Sequence, residues 1–180
     1  MSTKPALIKQ LREELLSGKE TIVLDAIKKI RAEGNRELIP DLVRLWLKEE
    51  GAIKTELTNL LYELKDNTVT EALIELLDEK EFIPAREQIL TIFWNAGLDT
   101  REHLSTLARI ALQGNYMQTL EVLTIIENLD PPFPEEEIMD ALIQLKSYFS
   151  NPEAEKEEKF KLLQTITTII KVHDDNQILD

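Results

Sequence analysis

The sequence of 180 residues contains no cysteine. This absence excludes disulfide bonds, thiolate nucleophiles and zinc sites with cysteine ligands. Histidine is also scarce, because His103 and His173 are the two in the chain and neither belongs to an HExxH motif. We interpret both as surface histidines at helix ends, and we predict neither catalytic nor metal-binding residues.

Glycine is rare as well, with five residues that each stand alone. A loop that binds phosphate needs several glycines close together, and the P-loop, dinucleotide-binding and nucleophile-elbow motifs are all absent from the sequence. The sequence therefore predicts no nucleotide or other cofactor, and we expect the protein not to be an enzyme.

Long hydrophobic runs are missing too. Uncharged stretches such as Ile89 to Leu98 fall far short of the about 20 residues that a membrane helix needs. Met1 to Gln10 lacks the apolar segment of a secretory signal. We therefore expect a cytoplasmic protein without a membrane partner.

Basic residues are outnumbered, and the formal net charge is −13. Residues 1–50 hold ten Lys or Arg against nine Asp or Glu, which gives +1, and the rest hold eleven against twenty-five, which gives −14. A surface of this sign repels phosphate backbones and anionic lipids. We predict no nucleic-acid partner, and a partner with a basic segment would suit the acidic part.

Helix breakers occur at regular intervals along the chain. The glycines stand at positions 18, 34, 51, 97 and 114, and Asp66-Asn67, Pro84, Pro131-Pro132 and Asn151-Pro152 interrupt the remaining stretches. Between them the apolar residues are spaced three and four apart, which is typical of one helix face. This pattern predicts ten helices and no sheet, at about residues 5–16, 20–33, 36–49, 52–65, 68–79, 84–96, 100–113, 117–129, 135–149 and 153–173. Candidate N-caps are Asn35, Asn67, Asp99 and Asn151.

Alternate helices repeat one apolar pattern. Leu42-Val43-x-Leu45 recurs as Leu73-Ile74-x-Leu76, then as Leu107-Ala108-x-Ile110 and Leu142-Ile143-x-Leu145, at offsets of 31, 34 and 35. A two-helix unit of about 33 residues that recurs in this way is the signature of a solenoid. We predict an all-α superhelix of about five antiparallel helix pairs. It forms a single domain, 1–180, with repeats over 20–149, capping helices at 5–16 and 153–173, and a frayed tail at 174–180.

The segment Ile39-Pro40-Asp41-Leu42-Val43-x-Leu45 resembles the start of a second helix in HEAT repeats. Pro84-Ala85-Arg86-Glu87-Gln88-Ile89-Leu90 resembles the first-helix pattern of that family, and the resemblance covers most of residues 20–149. A period near 34 is also the tetratricopeptide length, although the Trp-x-x-Leu-Gly pattern of that family is absent. An irregular helical bundle is the third possibility.

The HEAT resemblance implies a partner-binding concave surface lined by the second helices. The aligned positions on that side form a predicted ladder of Arg44, Glu75, Arg109 and Gln144. Four residues earlier the same alignment gives Pro40, Glu71, Ser105 and Asp140. An ordinary solvated face is the alternative interpretation of both sets.

Two tryptophans are further candidates for partner binding. Trp46 and Trp94 lie among apolar residues at helical spacing, which suits core packing, but aromatic anchors also dominate binding surfaces. The segment Ile92 to Gly97 places two aromatic residues just before a turn. The cluster Glu135-Glu136-Glu137 suits the positive end of a helix dipole, with an ion or basic-partner site as the alternative.

We consider three functions. The first is a non-catalytic interaction module or scaffold that binds a protein or peptide. The second is implied by the resemblance, because some HEAT-like proteins are DNA alkylpurine glycosylases; Trp46, Trp94 and Asp41 would serve there, but the net charge argues against it. The third is an adaptor of a larger complex, in which the apolar C-terminal helix caps the stack or docks on a second copy. We expect a monomer or a weak homodimer.

Overall fold

Helices are the regular secondary structure of the chain in the computed structural model, which describes residues 4–33 and 36–177. These residues form ten α-helices and four short 3₁₀ turns, and they contain no strand. The prediction of an all-α protein is therefore confirmed. The helices are α1 (Lys4–Leu15), α2 (Glu20–Glu33), α3 (Ile39–Lys48), α4 (Gly51–Glu63), α5 (Asn67–Leu76), α6 (Arg86–Ala96), α7 (Leu104–Gln113), α8 (Tyr116–Glu127), α9 (Glu135–Phe149) and α10 (Phe160–Gln177).

Several helices begin later than the sequence predicts, because a 3₁₀ turn precedes them. These turns are Arg36–Leu38, Ile83–Ala85, Arg101–His103 and Ala154–Lys156. The largest difference is at α10, which begins at Phe160 and continues to Gln177. The predicted tail therefore begins within this helix, and residues 178–180 lie outside the described residues.

Side-chain caps explain where some helices start. Asp66, rather than the predicted Asn67, caps α5 by accepting a hydrogen bond from Thr68 N at 2.7 Å. Asn115 caps α8 by accepting from Gln118 N. The predicted cap Asn151 instead opens the 3₁₀ turn before α10 by accepting from Glu153 N. Asn35 lies outside the described residues.

The chain divides into two compact units, Met1–Ala85 and Arg86–Asp180. In the first unit α1 packs on α2 and α3, α2 packs on α4, and α3 packs on α4 and α5. Each of these helices contributes one apolar face to a buried core, which explains the three- and four-residue spacing in the sequence. Fully or almost fully buried core residues include Leu11, Ile27, Leu42, Leu61 and Leu73.

In the second unit the same kind of packing occurs. Helix α8 packs on α6, α7 and α10, and α9 packs on α7 and α10. Polar contacts reinforce the pairing of α7 with α9, because Glu137 Oε2 accepts from Ser105 N at 2.8 Å and Gln144 Nε2 donates to Ser105 O at 3.2 Å. The Ser105 amide is one of the first-turn donors that a helix cannot satisfy itself, so Glu137 caps α7 from its neighbour.

A buried lysine caps the C-terminal end of α7. Lys159 is 8% exposed, and its Nζ donates to Leu112 O at 2.6 Å and to Gly114 O at 2.7 Å. The last carbonyls of a helix lack intrahelical partners and attract positive charge. Lys159 therefore joins the segment before α10 to the end of α7.

No helix in the described ranges is long and apolar enough to span a bilayer.

Candidate functional site

Trp94 is the most accessible aromatic residue that the sequence singled out. It lies near the end of α6, where Ile92 and Phe93 are fully buried, yet 37% of its own surface is exposed. The apolar face of α6 therefore supplies the core, while Trp94 lies at the edge of that face.

The turn after Trp94 has the geometry of a glycine-terminated helix. Gly97 adopts a φ of 62°, Leu98 N donates to Phe93 O at 2.9 Å, and Gly97 N donates to Trp94 O at 3.3 Å. These two hydrogen bonds form a Schellman motif, which needs a left-handed residue at this position. Leu98 is then buried against the end of α6, and the chain turns sharply beside the indole ring.

A hydrogen bond holds the indole ring in place. Trp94 Nε1 donates to Glu121 Oε2 at 2.7 Å, so a residue on α8 fixes a residue on α6. A ring that is already fixed loses less conformational entropy when a ligand contacts it. Glu121 also places a carboxylate at the ring edge.

Asp99 and Arg101 form a tight pair just beyond the turn. Asp99 accepts from Arg101 Nε at 2.9 Å and from its terminal nitrogen at 2.6 Å, and it also accepts from Arg101 N at 3.1 Å. The side-chain hydrogen bonds from Arg101 hold the pKa of Asp99 below its usual value. The same pair raises the pKa of Arg101, to which the nearby negative charge of Asp130 also contributes.

These residues surround a cleft of about 360 Å³ between the C-terminal ends of α6 and α8. Its apolar floor includes Phe93, Leu98 and Ile125, all of them buried. Asp99, Arg101 and Asp130 line its polar side. The lining carries two carboxylates and one guanidinium, and Glu121 adds a third carboxylate at the edge of the Trp94 ring, so the site is acidic. We refer to it as the Trp94 cleft.

A second hollow, also of about 360 Å³, adjoins the Trp94 cleft. Asp99 and Arg101 line both, and the second hollow continues along Glu102, Pro132 and Pro134. Arg101 also donates to Pro132 O at 3.5 Å. Together the two hollows form a continuous acidic surface along one edge of the second unit.

Two residues of the predicted ladder lie in the first unit, and both form ion pairs there. Arg44 contacts Glu81 at 2.5 Å and Asp41 at 3.1 Å. Glu75 contacts Arg36 at 2.7 Å. A partner that used these side chains would have to replace existing ion pairs.

The other two ladder residues lie in the second unit. Arg109 is half-buried, and its guanidinium lies 3.5 Å from Gln113 Oε1. Gln144 is half-buried too, because it donates to Ser105 O across the α7–α9 contact. The structure thus uses Gln144 and Ser105, which come from the two aligned sets, to join neighbouring helices.

Trp46 belongs to the core of the first unit. It is 5% exposed, and its Nε1 donates to Thr58 Oγ1 at 2.9 Å. Lys54 Nζ lies 4.2 Å from the centre of its ring and also bonds to Trp46 O. Burial lowers the pKa of Lys54. Core packing was one of the two interpretations of Trp46, and the structure places the residue there.

Glu121, Arg101 and Asp130 were not among the predicted site residues. Glu121 follows Trp94 by 27 residues, and no local pattern links the two. A weak signal did exist, because Leu98-Asp99 recurs as Leu129-Asp130, 31 residues later and close to the repeat length. Across residues 4–33 and 36–177, no group of three or more His, Asp or Glu side chains is arranged to hold a metal ion.

Comparisons of the chain with models of protein families, with curated proteins and with solved structures found no match.

Proposed function

We propose that this chain is a non-catalytic interaction module, built as a short HEAT-like α-solenoid, that binds a basic segment of a partner protein at the Trp94 cleft. The packing within each unit supports the solenoid, because α1, α3 and α7 each pack on the next helix and on the one after it, and α2, α6 and α8 each pack on the helix two positions later. That is the contact pattern of stacked two-helix repeats, in which each repeat contacts its neighbours.

The observation that carries the binding proposal is the placement of Trp94. Its ring is partly exposed, it is fixed by Glu121, and it borders a cleft that Asp99 and Asp130 line. Tryptophan offers the best aromatic face for a cation, and nearby carboxylates add charge attraction. A Lys or Arg side chain of a partner would satisfy both.

The cleft suits an extended segment better than a single side chain. The adjoining hollow along Pro132 and Pro134 lengthens the acidic surface beyond the Trp94 cleft. The predicted ladder of Arg44, Glu75, Arg109 and Gln144 stays a prediction, and it has less support because its members in the first unit are already in ion pairs.

Calorimetric titration with a lysine-rich peptide tests the proposal, using the same peptide with glutamate in place of lysine as the reference. We expect the lysine peptide alone to bind, and its affinity to fall as salt is added. Trp94→Ala should lower the affinity about tenfold or more, as expected for an aromatic anchor. Asp130→Asn should lower it less.

Matched variants test whether the lysine peptide binds at the Trp94 cleft or merely responds to the negative charge of the whole protein. Tyr116→Ala removes another exposed aromatic residue of the same unit, and Asp25→Asn removes an exposed carboxylate of the first unit. Both should bind the lysine peptide as the unsubstituted protein does. Equal losses in Trp94→Ala and Tyr116→Ala, or equal binding of the two peptides, would contradict the proposal.

A further inference from the structure

Helix α9 carries exposed apolar side chains beside its buried face. Ile138, Ala141 and Leu145 are buried against neighbouring helices, whereas Met139 is 54% exposed and Ile143 is 58% exposed. These two residues are four apart and therefore adjacent on one side of the helix. They form an apolar stripe beside the buried face.

The stripe borders a groove between α9 and the C-terminal part of α10. Met139, Leu142 and Ile143 supply its apolar wall, and Asp174 of α10 lines it as well. Its volume is about 210 Å³, which is below the about 300–1,000 Å³ of pockets that enclose small molecules. A groove of this size suits the apolar side chains of a protein partner.

The charges around the groove indicate which partner fits. Glu135 and Asp174 line it, and Glu136 and Asp140 are exposed on the same helix, whereas Lys146 is the cation of the lining. Four carboxylates against one ammonium make the surroundings acidic. A second copy of the chain would bring the same carboxylates and another net charge of −13.

We propose that this groove is a second docking surface, separate from the Trp94 cleft, and that it binds a basic amphipathic helix of a partner protein. The partner would place Leu-, Ile- or Met-type side chains, three and four residues apart, against Met139, Leu142 and Ile143. Lysine or arginine residues beside that stripe would face Glu135, Glu136 and Asp174. This is the helix-in-groove mode of recognition, and the exposed methionine suits it because its side chain adapts to different partners.

Calorimetric titration with a synthetic amphipathic helix that carries leucines on one face and lysines beside them tests this inference. The reference is the same helix with glutamates in place of the lysines. We expect the lysine helix to bind and the glutamate helix not to bind. The double variant Met139→Ser and Ile143→Ser should lower the affinity about tenfold or more, while circular dichroism shows the fold unchanged, because both side chains are exposed.

Two controls distinguish this surface from other apolar and acidic surfaces. Leu16→Ser removes an apolar side chain that is 68% exposed in the first unit, and Trp94→Ala alters the other proposed site. Leu16→Ser should keep the affinity for the lysine helix, and adding the double variant to Trp94→Ala should still lower that affinity relative to Trp94→Ala by itself. Unchanged binding by the double variant, a loss caused by Trp94→Ala alone, or equal binding of the glutamate helix would overturn the inference. So would a dimer in sedimentation that the double variant converts to a monomer, because the occupant would then be a second copy.

Discussion

Lys159 shows how one residue secures the end of a helix. Its ammonium group donates to the carbonyls of Leu112 and Gly114, and the residue is buried. Hydrogen bonds from a charged donor contribute more than neutral ones, and buried carbonyls that lose their donor carry a desolvation penalty. The sequence alone did not indicate this role, because 45 residues separate Lys159 from Gly114.

We predict that Lys159→Met lowers the free energy of unfolding by about 2 kcal/mol, because the aliphatic stem is kept while the hydrogen bonds to the end of α7 are lost. Urea unfolding followed by circular dichroism measures the change. Lys161→Met is the matched control, since Lys161 is exposed on α10, and its effect should stay within about 0.5 kcal/mol. Equal effects of the two substitutions would show that the contacts of Lys159 do not stabilise the fold.

Trp94 and Trp46 show what the sequence predicts about single residues and what it does not. Helical spacing among apolar neighbours identified both as core residues or anchors, but it did not separate them. Their difference depends on contacts far along the chain or across a turn, with Glu121 for Trp94 and with Thr58 and Lys54 for Trp46. The spacing of residues in the sequence does not predict such contacts.

Among the elements, the turn after α6 matters most because it determines the course of the chain beside the Trp94 cleft. Gly97 has a φ of 62°, and a Cβ atom built there would meet nothing within 4 Å. Any cost of a larger residue at this position therefore comes from the backbone conformation and not from a steric clash.

We predict that Gly97→Ala lowers the free energy of unfolding by about 1 kcal/mol, because alanine disfavours the left-handed conformation. Gly97→Asn should cost less, since asparagine tolerates that conformation better. Thermal and urea unfolding of the two variants provide the comparison. Finding that asparagine destabilises as much as alanine would point to a cause other than the backbone conformation.

The helices themselves were predictable, while their first turns were less so. Apolar residues three and four apart reveal a buried face, and each of the ten predicted segments overlaps one of the ten described helices. The 3₁₀ turns before α3, α6, α7 and α10 were missed because a 3₁₀ turn has almost the same apolar spacing as an α-helix. At α5 the observed cap is Asp66 and not Asn67. The sequence could not distinguish the two, because both residue types suit an N-cap position equally well.

For the whole molecule, the balance of charge is the dominant property. The net charge of −13 follows from the composition, so a basic partner could be proposed from the sequence alone. The acidic cleft was not predictable, because Asp99 and Asp130, which follow α6 and α8, line one cleft only through the packing of these two helices, with Glu121 held at the Trp94 ring nearby. The repeat pattern predicted stacked helices, but which side chains line their edges depends on that packing.

We predict that the protein does not bind duplex DNA, even at about 50 mM salt, where phosphate contacts are strongest. A gel-shift assay with a DNA-binding protein as positive control measures this directly. A shift that appears with this protein and disappears on adding salt would contradict the prediction. It would also restore the DNA glycosylase among the functions that the resemblance implies.

The contrast between Trp46 and Trp94 has a practical consequence. Each compact unit contains one tryptophan, the first buried and the second at the surface. Intrinsic fluorescence therefore reports on each half of the chain separately once the other indole is replaced by phenylalanine. A quencher dissolved in the buffer should reach the emission of Trp94 far more readily than that of Trp46, so a ligand that shields the surface ring reveals itself without any attached dye.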